Sequence, residues 1–413
     1  MSLFESASLV VTPNGTKASK LYAIKPTDGS GDLTVTRATT ARRVNSAGLI
    51  SSVANNVPRL DYLNSTCPSV LVEPQRTNVQ TYSEDFSNAI YLQIGVTVTT
   101  NAIIAPDGNT TADKIVEDTS TGLHTIDILN PPVAAGSYTV SVFVKAAERT
   151  KFQILGFFAL TGNVTFDLTA VTATTTAPAL NGKIENYGNG WFRCSATFTD
   201  LTGVGAQILF NILNNAGSNS YTGTAGSGLY LWGAQLEAGS YSTSYIPTTT
   251  ASVTRNADVI NKTGITDLIG QTEGTLYTEI KVNKLIGAAS RYIFHLSDGT
   301  ANNRIYIAFS GAASNVLRAR IFSGGTLQCS INTSAITTTG TYKLALAYKN
   351  NDIVFYVNGV QIGTDIVATI PTCSRVDLGQ NTAGTSQLSD NISLSTLFKT
   401  RLTNVQLAEL TTI

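Results

Sequence analysis

His124 and His295 are the two side chains in this 413-residue chain whose ordinary pKa suits proton transfer near neutral pH. They fall in different regions, and no Gly-x-Ser-x-Gly turn is present to supply a nucleophile beside either one. Both therefore read as isolated core or surface histidines. Glycan cleavage by a β-sandwich needs an acid and a nucleophile flanking one bond, written as Glu-x-Asp-x-x-Glu along a strand. That spacing does not occur, and the best acid-bearing stretch, residues 276–282, holds Glu279 alone. Ser297-Asp298-Gly299-Thr300 is a single partial likeness to a sialidase box and lacks its Trp. These absences favour a non-enzymatic protein.

Metal and redox chemistry have as little to work with. Cys67, Cys194, Cys329 and Cys373 are widely spaced, with no Cys-x-x-Cys pair, and read as reduced thiols rather than a disulfide scaffold or a zinc site. Cys194 shares a face with Phe192, Ala196 and Phe198 and so reads as a small hydrophobe, whereas Cys329 and Cys373 are expected free and partly exposed. No cofactor is expected. A structural Ca²⁺ stays open, since Asp107, Asp113 and Asp258 lie near turns, although no loop has the dense oxygen-ligand spacing of a calcium site.

Binding chemistry is better represented. Aromatic rings stack on sugar faces, and arginines fork onto carboxylates. Trp191 and Arg193 are candidates on the first count, because Trp191 falls opposite the apolar row and Arg193 lies beside it, although packing is the favoured role for Trp191 and for Trp232. Arg304, Tyr306, Arg318 and Arg320 fall opposite the apolar rows of two later strands and could form a polar recognition face or a plain solvated one. Arg37, Arg42 and Arg43 form a basic cluster able to bond to acidic or backbone partners.

The elements that must carry these residues are strands. Charged residues are 13% of the chain, against about 25% in ordinary soluble domains. Lys+Arg and Asp+Glu both number 27, so the basic excess typical of a nucleic-acid binder is missing. The polar surface must be built from Thr, Ser, Asn and the 34 Gly, a composition that favours strands and tight turns. No apolar run approaches the ~20 residues a membrane helix needs. The first residues, MSLFESASLVV, lack a basic region, so no secretory signal is expected.

Period-two rows appear at Tyr138/Val140/Val142/Val144, Phe192/Cys194/Ala196/Phe198 and Ile208/Phe210/Ile212. Cleaner rows follow at Leu276/Thr278/Ile280/Val282, Ile305/Ile307/Phe309, Tyr342/Leu344/Leu346/Tyr348 and Ile353/Phe355/Val357. Lys349-Asn-Asn-Asp352 and Asn358-Gly359 read as hairpin turns, and Thr403 as the cap of one short helix over 404–410. The expected architecture is all-β: two antiparallel jelly-roll sandwiches behind a small irregular N-terminal segment. Its boundaries are 1–78, 79–253 and 254–413.

The last region resembles laminin-G and concanavalin-like jelly rolls through Gly340-Thr-Tyr-Lys-Leu-Ala-Leu-Ala-Tyr348, Ile353-Val-Phe-Tyr-Val-Asn-Gly-Val360 and its closing strand and helix. The middle region resembles carbohydrate-binding-module jelly rolls through Ala105-Pro-Asp-Gly108, Ala112-Asp-Lys114, residues 138–146 and Gly188-Asn-Gly-Trp-Phe-Arg193. Flanking it, Ala41-Arg-Arg-Val-Asn45, Val57-Pro-Arg-Leu-Asp-Tyr62, Glu73-Pro-Gln-Arg-Thr-Asn78, Trp232-Gly-Ala-Gln-Leu-Glu-Ala-Gly239, Thr243-Ser-Tyr-Ile-Pro247 and Thr254-Arg-Asn-Ala-Asp258 look like a module of bacteriophage virion proteins. The resemblance implies a head or tail fibre or spike, exposed on the virion after assembly in the host cytoplasm. It further implies a homo-oligomer, with a trimer favoured, held to capsid or tail proteins through residues 1–78. Host-surface glycans are the external partner it allows, with no nucleic acid and no membrane insertion. The alternative is an adhesin whose whole task is glycan recognition; a glycan depolymerase ranks below both.

Overall fold

In the computed structural model the described residues are 3–129, 134, 136–158, 162–201 and 206–413. The chain divides into two compact units. Each is a β-structure of antiparallel sheets, as the composition dictates.

Unit 1 runs up to Thr40 and takes in Val53–Gln75 and Asn256–Ile413. Its strands form one long antiparallel path. Leu276, Ile280, Leu344, Leu346, Ile353 and Phe355 bury against Ile305, Ile307, Phe309, Leu317 and Ile321, so the alternating rows meet in one core. Asn358 and Gly359, with φ of +49° and +79°, turn the chain so that Val357 pairs with Val360. A two-residue loop with both residues at positive φ matches the right-handed twist of its flanking strands. Helix Asn404–Thr411 starts where expected: Thr403 accepts from the Gln406 amide, and Gln406 reaches back to the Thr403 amide. Leu407 then packs with Tyr277, Val354 and Phe398 on the outer side of that sheet.

Unit 2 comprises Ala41–Ser52 and Arg76–Arg255. Two six-stranded sheets enclose its core. One contains Gly136–Ala146, Trp191–Leu201 and Gly228–Ala238 side by side with Thr110–Glu117. The other orders Thr172–Thr176, Gly162–Asp167, Lys151–Phe158, Ala206–Leu213, Thr125–Leu129 and Tyr91–Ile94. Val140, Val142, Val144, Cys194, Ala196 and Phe198 from the first meet Ile126, Phe152, Ile154, Phe166, Ile208 and Phe210 from the second.

Residues 1–78 differ from the sequence reading of a separate segment. Strand Ala7–Lys17 lies between Lys20–Lys25 and Asp390–Phe398, and Leu33–Thr36 pairs with Val259–Thr263. Leu9, Val11, Leu21, Leu33, Val35, Val70 and Val72 belong to the same core as the C-terminal rows. Ala41–Ser52 goes instead to unit 2, where the Ile50 amide donates to the Pro106 carbonyl. Several of these strands are only four residues long, too short for a periodic row, and Leu33–Thr36 and Ser69–Val72 have partners hundreds of residues away. Their hydrogen bonds and apolar contacts are therefore non-local, which sequence periodicity cannot register.

Candidate functional site

The polar face of unit 1 is fixed by the strands Arg291–Ser297, Arg304–Phe309, Val316–Ser323 and Arg375–Leu378. Because Ile305, Ile307 and Phe309 point into the core, Arg304, Tyr306 and Ala308 must stand on the other face. Register then sets Tyr306 opposite Arg320 on one side and His295 on the other, while Ala308 faces Arg318. Arg304, Tyr306, Arg318 and Arg320 thus do share one face, as their spacing implied.

Tyr306 is buried in the middle of this face, and Phe322 stacks parallel to it with centroids 6.4 Å apart. The Arg304 guanidinium lies 4.2 Å from the Phe322 centroid and 5.4 Å from that of Tyr306, and Arg318 stands 5.9 Å from Tyr306. Arg318 donates to Ser290 Oγ at 3.2 Å and Arg320 to Ser330 Oγ at 3.3 Å. Among the described residues no carboxylate pairs with Arg304, Arg318 or Arg320. Arg304 and Arg320 are half-buried, and the Arg304 guanidinium lies on an aromatic bed. Fixed, weakly hydrated guanidiniums of this kind suit planar anions.

Sequence spacing missed Tyr292 and His295. They are three residues apart, yet both join this face, because the pairing register shifts between Tyr292 and Phe294. Tyr292 lies 4.8 Å from Tyr306, and His295 lies 5.7 Å from it. His295 Nδ1 is 3.4 Å from Asp377 Oδ2, and Asp377 is gripped by Arg375 at 2.6–3.1 Å and by Gln380 at 3.2 Å. Burial holds the His295 pKa below its ordinary value despite Asp377. A neutral His backed by Asp is half of an acyl-transfer arrangement. Among the described residues His295 Nε2 is buried with no hydrogen-bond partner.

The other sequence candidates sit elsewhere. Trp191 and Arg193 do fall opposite the apolar row, but that face is covered. Trp191 is 2% exposed and its indole nitrogen donates to the Ile104 carbonyl. Arg193, also 2% exposed, donates to the Thr243 carbonyl and Ser141 Oγ and lies over the Phe143 ring. A second apolar layer of Phe143, Trp232 and Tyr245 fills the space beside it. Trp232 reaches this layer because Gly233, at φ +67°, accompanies a bulge that shifts the register between Ser141 and Phe143. Neither Trp191 nor Arg193 is available to a ligand.

Arg37 also departs from its expected role at the surface. It is 1% exposed and donates to Asp258 Oδ1 at 2.9 Å, with further bonds to the carbonyls of Thr39, Ala54 and Val57. Arg59 binds the same Asp258 and also Glu73. Arg42 and Arg43 are half-buried on strand Ala41–Val44, which belongs to the other unit. Asp258 is committed to its arginines; Asp113 accepts from the Phe86 and Asn101 amides, and Asp107 from Asn109. Among the described residues no group of three His, Cys, Asp or Glu side chains is placed to hold a metal.

Neither the protein-family models nor the curated proteins include a match. Solved structures do resemble parts of this chain. The CBM40 module of the Ruminococcus gnavus IT-sialidase aligns at 16% identity over 34% of this chain and 84% of its own, with a TM-score of 0.29. Domain 4 of the GH43 arabinanase AbnA from Geobacillus stearothermophilus, solved with arabinotriose, aligns at 16% identity over 41% and 82%, with a TM-score of 0.31. Botulinum neurotoxin type C, whose cell entry is dependent upon interaction with two ganglioside molecules, aligns at 15% identity over 38% of this chain and 39% of its own, with a TM-score of 0.30. Each likeness is one of β-sandwich fold alone.

Proposed function

We propose that this chain is a non-catalytic glycan-binding adhesion protein, and that the Arg304–Tyr306–Arg318–Arg320 face takes acidic sugars. The observation that carries this reading is that three arginines without carboxylate partners share one aromatic-floored face. A sugar carboxylate or sulfate would accept paired N–H bonds from Arg304 or Arg320 while its ring lies against Phe322. His295 supports a role without catalysis, because its Nε2 is buried and, among the described residues, has no hydrogen-bond partner to exchange a proton with.

The setting we propose is the surface of a phage particle, as part of a head or tail fibre or spike, working as a homo-oligomer with a trimer favoured. The motif resemblance around residues 41–78 and 232–258 supports it. Capsid or tail proteins would be the inward partners, although residues 7–36 are committed to the sheet of unit 1 and so do not form a free attachment arm.

A glycan array tests the binding reading. The wild-type chain should bind sialylated, uronic or sulfated glycans, and the Arg304→Ala/Arg320→Ala double variant should lose that binding while melting normally. Equal binding by both proteins removes the assignment. Immunogold labelling of intact particles, with sedimentation of the purified chain, tests the setting.

A further inference from the structure

A sheet that ends in an open strand presents a row of unpaired backbone N–H and C=O groups, and natural edges are defended by charge, bulges or polar rows. The two six-stranded sheets of unit 2 have four end strands between them. Three are defended. Val96–Ile104 is interrupted by register shifts after Thr99, with Asn101 at φ +52°. Leu180–Asn186 carries Lys183 and Glu185, and four of the five residues in Thr172–Thr176 are threonine.

The fourth, Tyr91–Ile94, has none of these defences. It pairs with Thr125–Leu129 and, among the described residues, no strand lies on its other side. Not one charged residue occurs from Phe86 to Pro106. Tyr91 belongs to the core, so alternation sets Leu92 and Ile94 together on the outer face, 43% and 39% exposed. Ile90, at the entrance to the strand, is exposed as well. Two aliphatic side chains thus stand in water beside a free backbone edge.

That edge is complementary to itself. Residues opposed across a sheet must share a face, which restricts the registers a new strand can take. A twofold axis through Gln93, normal to the sheet, sets Leu92 of one copy opposite Ile94 of the other, twice over. Both aliphatic pairs then lie on one face, and no like charges oppose each other across the new ladder. A charged partner strand, by contrast, finds no counter-charge along Phe86–Pro106.

We propose that Tyr91–Ile94 is an interface between copies of this chain, in which two such strands pair antiparallel about a twofold axis and join two sheets into one. The same surface is used on both copies, as a twofold contact requires. The contact rests on the homo-oligomer reading and makes the number of copies even: a dimer, or a hexamer where a trimer is held together elsewhere.

Sedimentation velocity of the full chain across micromolar concentrations tests this. Wild type should sediment as an even-numbered assembly, and Leu92→Lys/Ile94→Lys should halve its mass, because four ammonium groups would meet at the axis. Both side chains are exposed, so the variant should melt as wild type does. A wild-type monomer, which leaves the edge to a foreign strand, overturns both the contact and the homo-oligomer reading. An odd-numbered assembly, or one whose mass the lysines leave unchanged, overturns the contact alone. Should the lysine variant fail to fold, Gln93→Cys in a Cys67→Ser background decides: mild oxidation should give a covalent pair of chains through position 93, and its absence overturns the contact.

Discussion

Arg37 and Asp258 are 221 residues apart in sequence, yet they form a 2.9 Å ion pair from which solvent is excluded on both sides. Arg59 shares the same carboxylate and adds Glu73, so two guanidiniums and two carboxylates neutralise one another inside unit 1. Desolvation makes such a group expensive to leave half complete.

Asp258→Ala should therefore destabilise unit 1 by about 3–5 kcal/mol, because it strands Arg37 and Arg59 in the interior. Chemical denaturation followed by a probe in unit 1 measures this. A loss under about 1 kcal/mol would mean that water reaches the arginines.

Asp127 should make unit 2 less stable as pH rises. Its folded pKa of about 6 lies above the model value of 3.8, so the folded state holds the proton more tightly. Stability from this group is complete below the unfolded pKa and is lost as pH climbs through the folded one. The flanking strands give this face Leu92, Ile94, Leu209 and Asn211, none of them charged. Asp127→Asn should raise stability at pH 7.5, by up to about 3 kcal/mol, and have little effect at pH 4. A gain that does not change between these two pH values would disprove the assignment.

Binding of acidic glycans to the arginine face should weaken several-fold as salt rises, because Arg304 and Arg320 are half-exposed and their attraction is screened. Isothermal titration across a salt series measures this.

The thiols should react in a one-plus-three pattern. Cys67 is exposed, while Cys194, Cys329 and Cys373 are buried free thiols. The partial exposure expected of Cys329 and Cys373 is not found: they are 1% and 2% exposed, and burial pushes both up to about 12. Native protein at pH 8 should take up one thiol reagent quickly and the other three only on unfolding. Rapid labelling of Cys373 in the native state would contradict the burial.

Sequence alone is enough for the alternating strands, the Asn358-Gly359 turn and the Thr403 cap, because each depends on neighbours two to four residues away. It also put Arg304, Tyr306, Arg318 and Arg320 on one face, since the apolar rows of adjacent strands fix the face of everything between them. Three things were beyond its reach. Alternation tells which side of a strand a residue takes, not whether that side is covered: Trp191 and Arg193 were given the right side and lie beneath a second layer. It also fails where a bulge breaks the period, which is why Tyr292 and His295 join the arginine face unannounced. And it carries no trace of pairings such as Arg37 with Asp258 or Leu33–Thr36 with Val259–Thr263, because the burial that makes those contacts favourable exists only once distant parts of the chain have come together.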